Sequence, residues 1–313
     1  MVHAGTHPRR ELTATVFRPP RAMGVIIGGA FAAWAAAVAV IAGNIAWGAS
    51  PEFKTFLAWL VAAGAFLLAL LFAAWAYAVG SLAYTIRPDA LEIRWGWRRV
   101  VVPIASIQRL VPGRTLEPPE VQGLNWWGCH VGAGDVKRVG YTLFYSTHAE
   151  PEELLYVVTD GEAYGLTVQD QAAFAEAIQA RAALAPVEER GEQRSLRVGP
   201  AALPLWQDRV ALWAVGLGGA LCAVVCGYVF ASYPGLPEVV ELSFPALGGI
   251  VRVGDRSELL GIAYLAAAIY AGNVLAGAAL HAFERAAGLW LFTSGALLQA
   301  VLFGAALIAF ANA

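Results

Sequence analysis

The chain has 313 residues, 58% hydrophobic and only 14% charged, with a mean hydropathy of +0.58. Soluble domains run at roughly 45–50% apolar and about 25% charged, so this balance excludes an ordinary soluble enzyme. A net charge of −2 and a pI near 6.2 supply no basic excess for nucleic-acid phosphate, which excludes a nucleic-acid partner.

Residues 1–22 read as a polar N-terminal tail, followed by an uncharged run from Met23 to Trp47. That run exceeds the ~30 Å hydrocarbon core at 1.5 Å per residue and is too long for a signal-peptide core, so it reads as an uncleaved first span. A turn at Pro51 and a second apolar run from about Phe56 to Leu82 make residues 23–82 a two-span helical hairpin. Apolar character returns between Arg209 and Glu238, between Glu258 and Glu284, and from Ala286 onward, giving five spans. Basic residues flanking spans stay on the cytoplasmic side. Arg9, Arg10, Arg18, Arg21, Arg87, Arg94, Arg98, Arg99, Arg209 and Arg285 all fall on one side, against Lys54, Arg252 and Arg256 on the other. The N-terminus and the polar middle are therefore expected in the cytoplasm and the C-terminus outside.

In the middle stretch the period changes to about two, with β-branched and aromatic bursts punctuated by Gly, Pro and Asp. Ala83–Arg87, Ala90–Trp95, Arg98–Pro103, Ile104–Val111 (a strand, or a short helix and strand), Val139–Thr147, Leu154–Thr159 and Ala163–Leu166 read as about seven short strands, with Pro88-Asp89, Gly96-Trp97 and Asp160-Gly161 as turns. Thr167 and Asp170 open a helix on which Phe174, Ile178 and Ala182 recur at helical spacing. Seven strands and a closing helix follow the order of a pleckstrin-homology (PH) barrel. The stretches Tyr84–Arg99, Val102-Pro103-Ile104 with Ile107, Gly128–Gly132, Tyr145–Thr147, and Tyr164–Thr167 with Phe174 resemble the bacterial PH-domain family of multi-pass membrane proteins. The resemblance implies a cytoplasmic PH-like β-barrel plus C-terminal helix over residues 83–186, an α+β module beside five membrane helices. It departs at Val168, where the family often has proline.

Residues 187–208 hold a charged run and read as a solvated linker before the three-span domain 209–313. The loop 233–258 in that domain resembles a short β-like cap over a helix pair. Its Val240, Leu242 and Phe244 are apolar yet outside the spans, which leaves two readings: packing on the membrane interface or a partner, or a small self-packed hairpin. The connection from Pro112 to Arg138 exceeds ordinary loop lengths and carries Trp126 and Trp127, a bulky pair expected either to fold over the barrel mouth or to dock on the membrane or a partner.

No catalytic residue, metal site or cofactor is expected. The spans carry no ionisable side chain; Cys222 and Cys226 share a helical face without a histidine or carboxylate, and His281 with Glu284 lacks the second histidine of a zincin. Gly24, Gly28, Gly29, Gly216, Gly219 and Gly272 are expected to let helices approach closely. Nine basic against twelve acidic residues between Arg87 and Arg181 argue against phosphoinositide capture. The expectation is a non-catalytic inner-membrane scaffold, assembly factor or accessory subunit whose partners are membrane lipids and another membrane protein. A sensor or immunity-type protein acting through the external loop comes second, and a small-molecule transporter third.

Overall fold

The computed structural model describes residues 14–183, 194–197, 202–243 and 251–313. Phe244 lies outside them. In chain order the elements are β1 (Thr15–Phe17), α1 (Ala22–Ala46), α2 (Phe53–Gly80), β2 (Ala83–Ile86), β3 (Ala90–Trp95), β4 (Arg98–Pro103), β5 (Ile107–Pro112), β6 (Gln122–Trp126), β7 (Cys129–Val136), β8 (Gly140–Ser146), β9 (Leu154–Thr159), β10 (Ala163–Thr167), α3 (Gln171–Ala182), β11 (Arg194–Arg197), α4 (Arg209–Ser232), β12 (Val239–Ser243), β13 (Val251–Asp255), α5 (Leu260–His281) and α6 (Arg285–Ala311). Among the described residues α1, α2, α4, α5 and α6 are each long and apolar enough to cross a membrane. The chain divides into two compact units, one formed by Met1–Ala33 with Ala69–Ala202, the other by Trp34–Leu68 with Leu203–Ala313.

The first unit contains two sheets around a shared core, with a second apolar cluster of Val136, Phe144, Leu154 and Tyr156. Alternation places Tyr84, Ile86, Leu91, Ile93, Val100 and Val102 on the buried face of β2–β4, and Gly96, at φ +56°, closes the β3–β4 turn. The second sheet runs β5-β9-β10-β8-β7-β6, with β8 and β10 parallel. Tyr84 ties the two sheets: its hydroxyl donates to the Tyr145 carbonyl at 2.6 Å and accepts from the Thr167 amide at 3.3 Å. The sheets share a core, and among the described residues no strand pairing closes them into the barrel expected from the sequence. Asp170 caps α3 by accepting from the Ala173 amide at 2.9 Å, and Phe174 and Ile178 enter the core. Thr167, expected at the helix start, is instead the last residue of β10, and its hydroxyl accepts from the Thr147 and His148 amides.

Three segments of this unit hold strands that the period-two pattern does not mark. The N-terminal tail contributes β1, paired with β2, and Phe17 meets the Phe174 ring edge-on at 5.1 Å. The segment 187–208, expected to be a solvated linker throughout, contributes β11 to the other edge of the same sheet, paired with β4. The connection 112–138 is no structureless loop, because it folds into the β6–β7 hairpin that extends the second sheet.

In the second unit α4, α5 and α6 form a bundle. Gly219 accommodates Tyr270, whose hydroxyl would lie 2.8 Å from a Cβ at that position. Gly29, Gly216 and Gly272, expected at close approaches, face nothing within 4 Å. Gln299 is fully buried and donates to the Ala266 carbonyl at 2.9 Å, an interhelical bond of the kind expected for polar span residues. Asp208 ties three helix ends. It caps α4 through the Val210 and Ala211 amides, accepts from His281 Nε2 at 3.1 Å, and accepts from Arg285 Nε at 2.6 Å. His281 is thus buried against Asp208. Between α4 and α5, β12 and β13 pair as an antiparallel hairpin.

Candidate functional site

The first unit carries its most distinctive surface at the tip of the β6–β7 hairpin. Trp126 pairs with Cys129 across a two-residue turn in which Gly128 sits at φ +71°, a conformation glycine adopts without strain. A side chain at Gly128 would fall on the backbone of Gly24 in the first turn of α1. The turn therefore lies directly against the start of a span. From there Trp126 reaches the Phe31 ring at 5.5 Å and the Trp75 ring of α2 at 5.1 Å, and Phe31 and Phe72 stack at 5.3 Å. Gly24 and Phe31 are separated by about 10 Å of helix rise, so the tip follows the span well past its first turn. Trp127 is 63% exposed and Leu124 45% exposed. From Val121 to Gly134 there is no charged residue.

Beside the tip is a cavity of about 520 Å³ lined by Met23, Asn125, Trp126, Trp127, Gly128, His130, Thr147, His148, Ala149 and Glu150. His130 Nδ1 meets Asn125 Oδ1 at 2.5 Å. His148 Nδ1 lies 3.0 Å from Glu153 Oε2 and 3.1 Å from Thr147 Oγ1. Burial holds the His130 imidazole below its ordinary value of 6.5, with Glu150 opposing that shift and His148 adding to it. No lysine or arginine lines the cavity among the described residues.

Of the residues singled out from sequence, the structure brings Trp126 and Trp127 together, with ring centroids 6.2 Å apart. Trp126 is seated on Phe31 of α1 and Trp75 of α2, while Trp127 is exposed. Val240 is 1% exposed, so it is buried rather than offered to a partner. Leu242 lies in β12, opposite Arg252 of β13. Phe244 falls outside the described residues. Sequence reasoning missed the seat of Trp126 on Phe31 and Trp75, the seat of the turn on Gly24, and the place of His130 and His148 on one cavity. The uncharged run across the hairpin was the available signal.

A second cavity, of about 680 Å³, lies in the other unit, lined largely by apolar side chains including Trp47, Phe56, Trp59, Cys222, Phe230 and Tyr270. Among the described residues no group of three or more His, Cys, Asp or Glu could hold a metal ion.

Five membrane-length helices and a two-sheet module closed by a helix define a multi-pass membrane protein with a PH-like domain. Residues 82–182 match the family model of the bacterial PH domain. No curated protein and no solved structure matches the chain.

Proposed function

We propose that the protein is a non-catalytic scaffold, assembly factor or accessory subunit of the bacterial cytoplasmic membrane, with the N-terminus and the PH-like domain on the cytoplasmic side and the C-terminus outside. The observation that carries this reading is the β6–β7 tip, an uncharged hairpin end that lays Trp126 on two spans and leaves Trp127 and Leu124 exposed. Indole rings combine a large apolar face with a donor N–H and favour the membrane interface and protein contacts alike. The tip therefore serves as a fixed docking edge for lipid and for a neighbouring membrane protein. The arginines around α1, α2, α4 and α6 support the orientation through the positive-inside bias.

The test is purification from native membranes in mild detergent, with identification of what accompanies the chain. A stoichiometric membrane-protein partner, lost when Trp126 and Trp127 are both replaced by alanine, is the expected result. Loss of no companion in the double variant contradicts the docking edge, and a chain that purifies alone under gentle extraction contradicts the scaffold reading.

A further inference from the structure

We propose that the cavity beside the β6–β7 tip is a binding site for a phospholipid headgroup that ends in a primary ammonium. The inference deepens the docking-edge reading above and rests on its placement of the tip at the membrane interface.

The ligand class follows from the polarity of the wall. Asn125 Oδ1 can only accept, so the 2.5 Å contact fixes the proton of a neutral His130 on Nδ1 and leaves Nε2 as its acceptor nitrogen. His148 directs Nδ1 at the Glu153 carboxylate 3.0 Å away, which orients its ring. Glu150, Trp126 and Trp127 also line the cavity and bring a carboxylate and two indoles to its wall. A carboxylate, an imidazole lone pair and indole faces all attract a small cation that carries several N–H donors. An anionic headgroup would meet Glu150 and no lysine or arginine.

The source of the ammonium follows from position. Met23, the second residue of α1, is part of the wall and is 56% exposed. Gly24 carries the hairpin turn, and Trp127 continues the apolar surface beside the opening. A cavity at the first turn of an apolar 25-residue helix opens where headgroups lie and where acyl chains continue along the helix. A volume of about 520 Å³ falls within the ordinary range for small-ligand sites.

The experiment is native mass spectrometry of the full chain, titrated in detergent with ethanolamine, glycerol and choline phospholipids of identical acyl chains. The ethanolamine lipid should bind about tenfold more tightly than the glycerol lipid, and the trimethylated choline lipid, which has lost its N–H donors, should bind more weakly than the ethanolamine lipid. Glu150→Gln should remove most of the ethanolamine preference and leave glycerol-lipid binding unchanged, with an unaltered thermal midpoint as the folding control. His130→Leu provides a second variant with the same expected loss. Equal affinities for the three lipids, or a preference that survives both substitutions, overturns the proposal. Loss of a co-purifying protein in Glu150→Gln, with no lipid preference in the parent chain, overturns it in favour of a partner lysine. Lipid preference without any co-purifying protein refutes the scaffold reading alone.

Discussion

Three side chains illustrate how local environment sets measurable behaviour. Tyr156 is fully buried with its hydroxyl lacking a partner, and burial pushes its phenol up to about 12. A buried hydroxyl without a hydrogen bond is a cost, so Tyr156→Phe should stabilise the first unit by about 1 kcal/mol and remove a late step from the alkaline absorbance titration. His130 behaves oppositely to a paired histidine. Its pKa is depressed on folding, so the unfolded chain binds the proton more readily, and stability falls as pH drops below 6.5. His130→Asn should flatten that part of the stability profile. Arg285 holds the Asp208 carboxyl well below its ordinary 3.8, so the clamp's contribution is present at neutral pH and disappears as pH falls below that value. Asp208→Asn should lower the thermal midpoint at pH 7 and blunt the acid limb of the profile.

At the scale of elements, the β6–β7 hairpin is the part on which the functional reading turns. Gly128→Ala would place a Cβ at positive φ and against the Gly24 backbone, costs that together amount to about 2 kcal/mol or more. The expected result is a lowered midpoint and faster protease cleavage at the tip, whereas an unchanged cleavage rate would mean that the turn is not seated on α1. The sequence made β2, β3 and β4 legible because alternation such as Leu91, Ile93 and then Val100, Val102 buries one face against a core. It concealed β6 and β7 because Gly123, Gly132 and Gly134 interrupt the apolar pattern, and every residue of β6 is exposed. The edge strands β1 and β11 were hidden for a related reason: three- and four-residue strands hold their place by backbone pairing, which leaves little trace in side-chain period. Asp170 was legible as a cap signal, but Thr167 was drawn into the sheet, where its hydroxyl satisfies two loop amides.

At the scale of the whole molecule, the span count was the most legible property, since runs of uncharged residues longer than the hydrocarbon core admit few other structures. What the runs do not encode is how each unit is fastened. In the first, Trp75, Val79 and Leu82 continue the end of α2 into the core of the PH-like domain, so the domain and the end of that span form one packed body. In the second, Asp208 gathers the ends of α4, α5 and α6, a contact between residues 73 and 77 positions apart that no local period announces. The central claim is that this body presents the Trp126–Trp127 tip to the bilayer from the cytoplasmic side. A spin label at position 127, in a variant with Cys129, Cys222 and Cys226 replaced by alanine and reconstituted in lipid nanodiscs, tests it most directly. Oxygen accessibility above that of aqueous nickel reagent at 127, and the reverse for a label at position 160, is the expected result; equal, water-like values at both positions would contradict it.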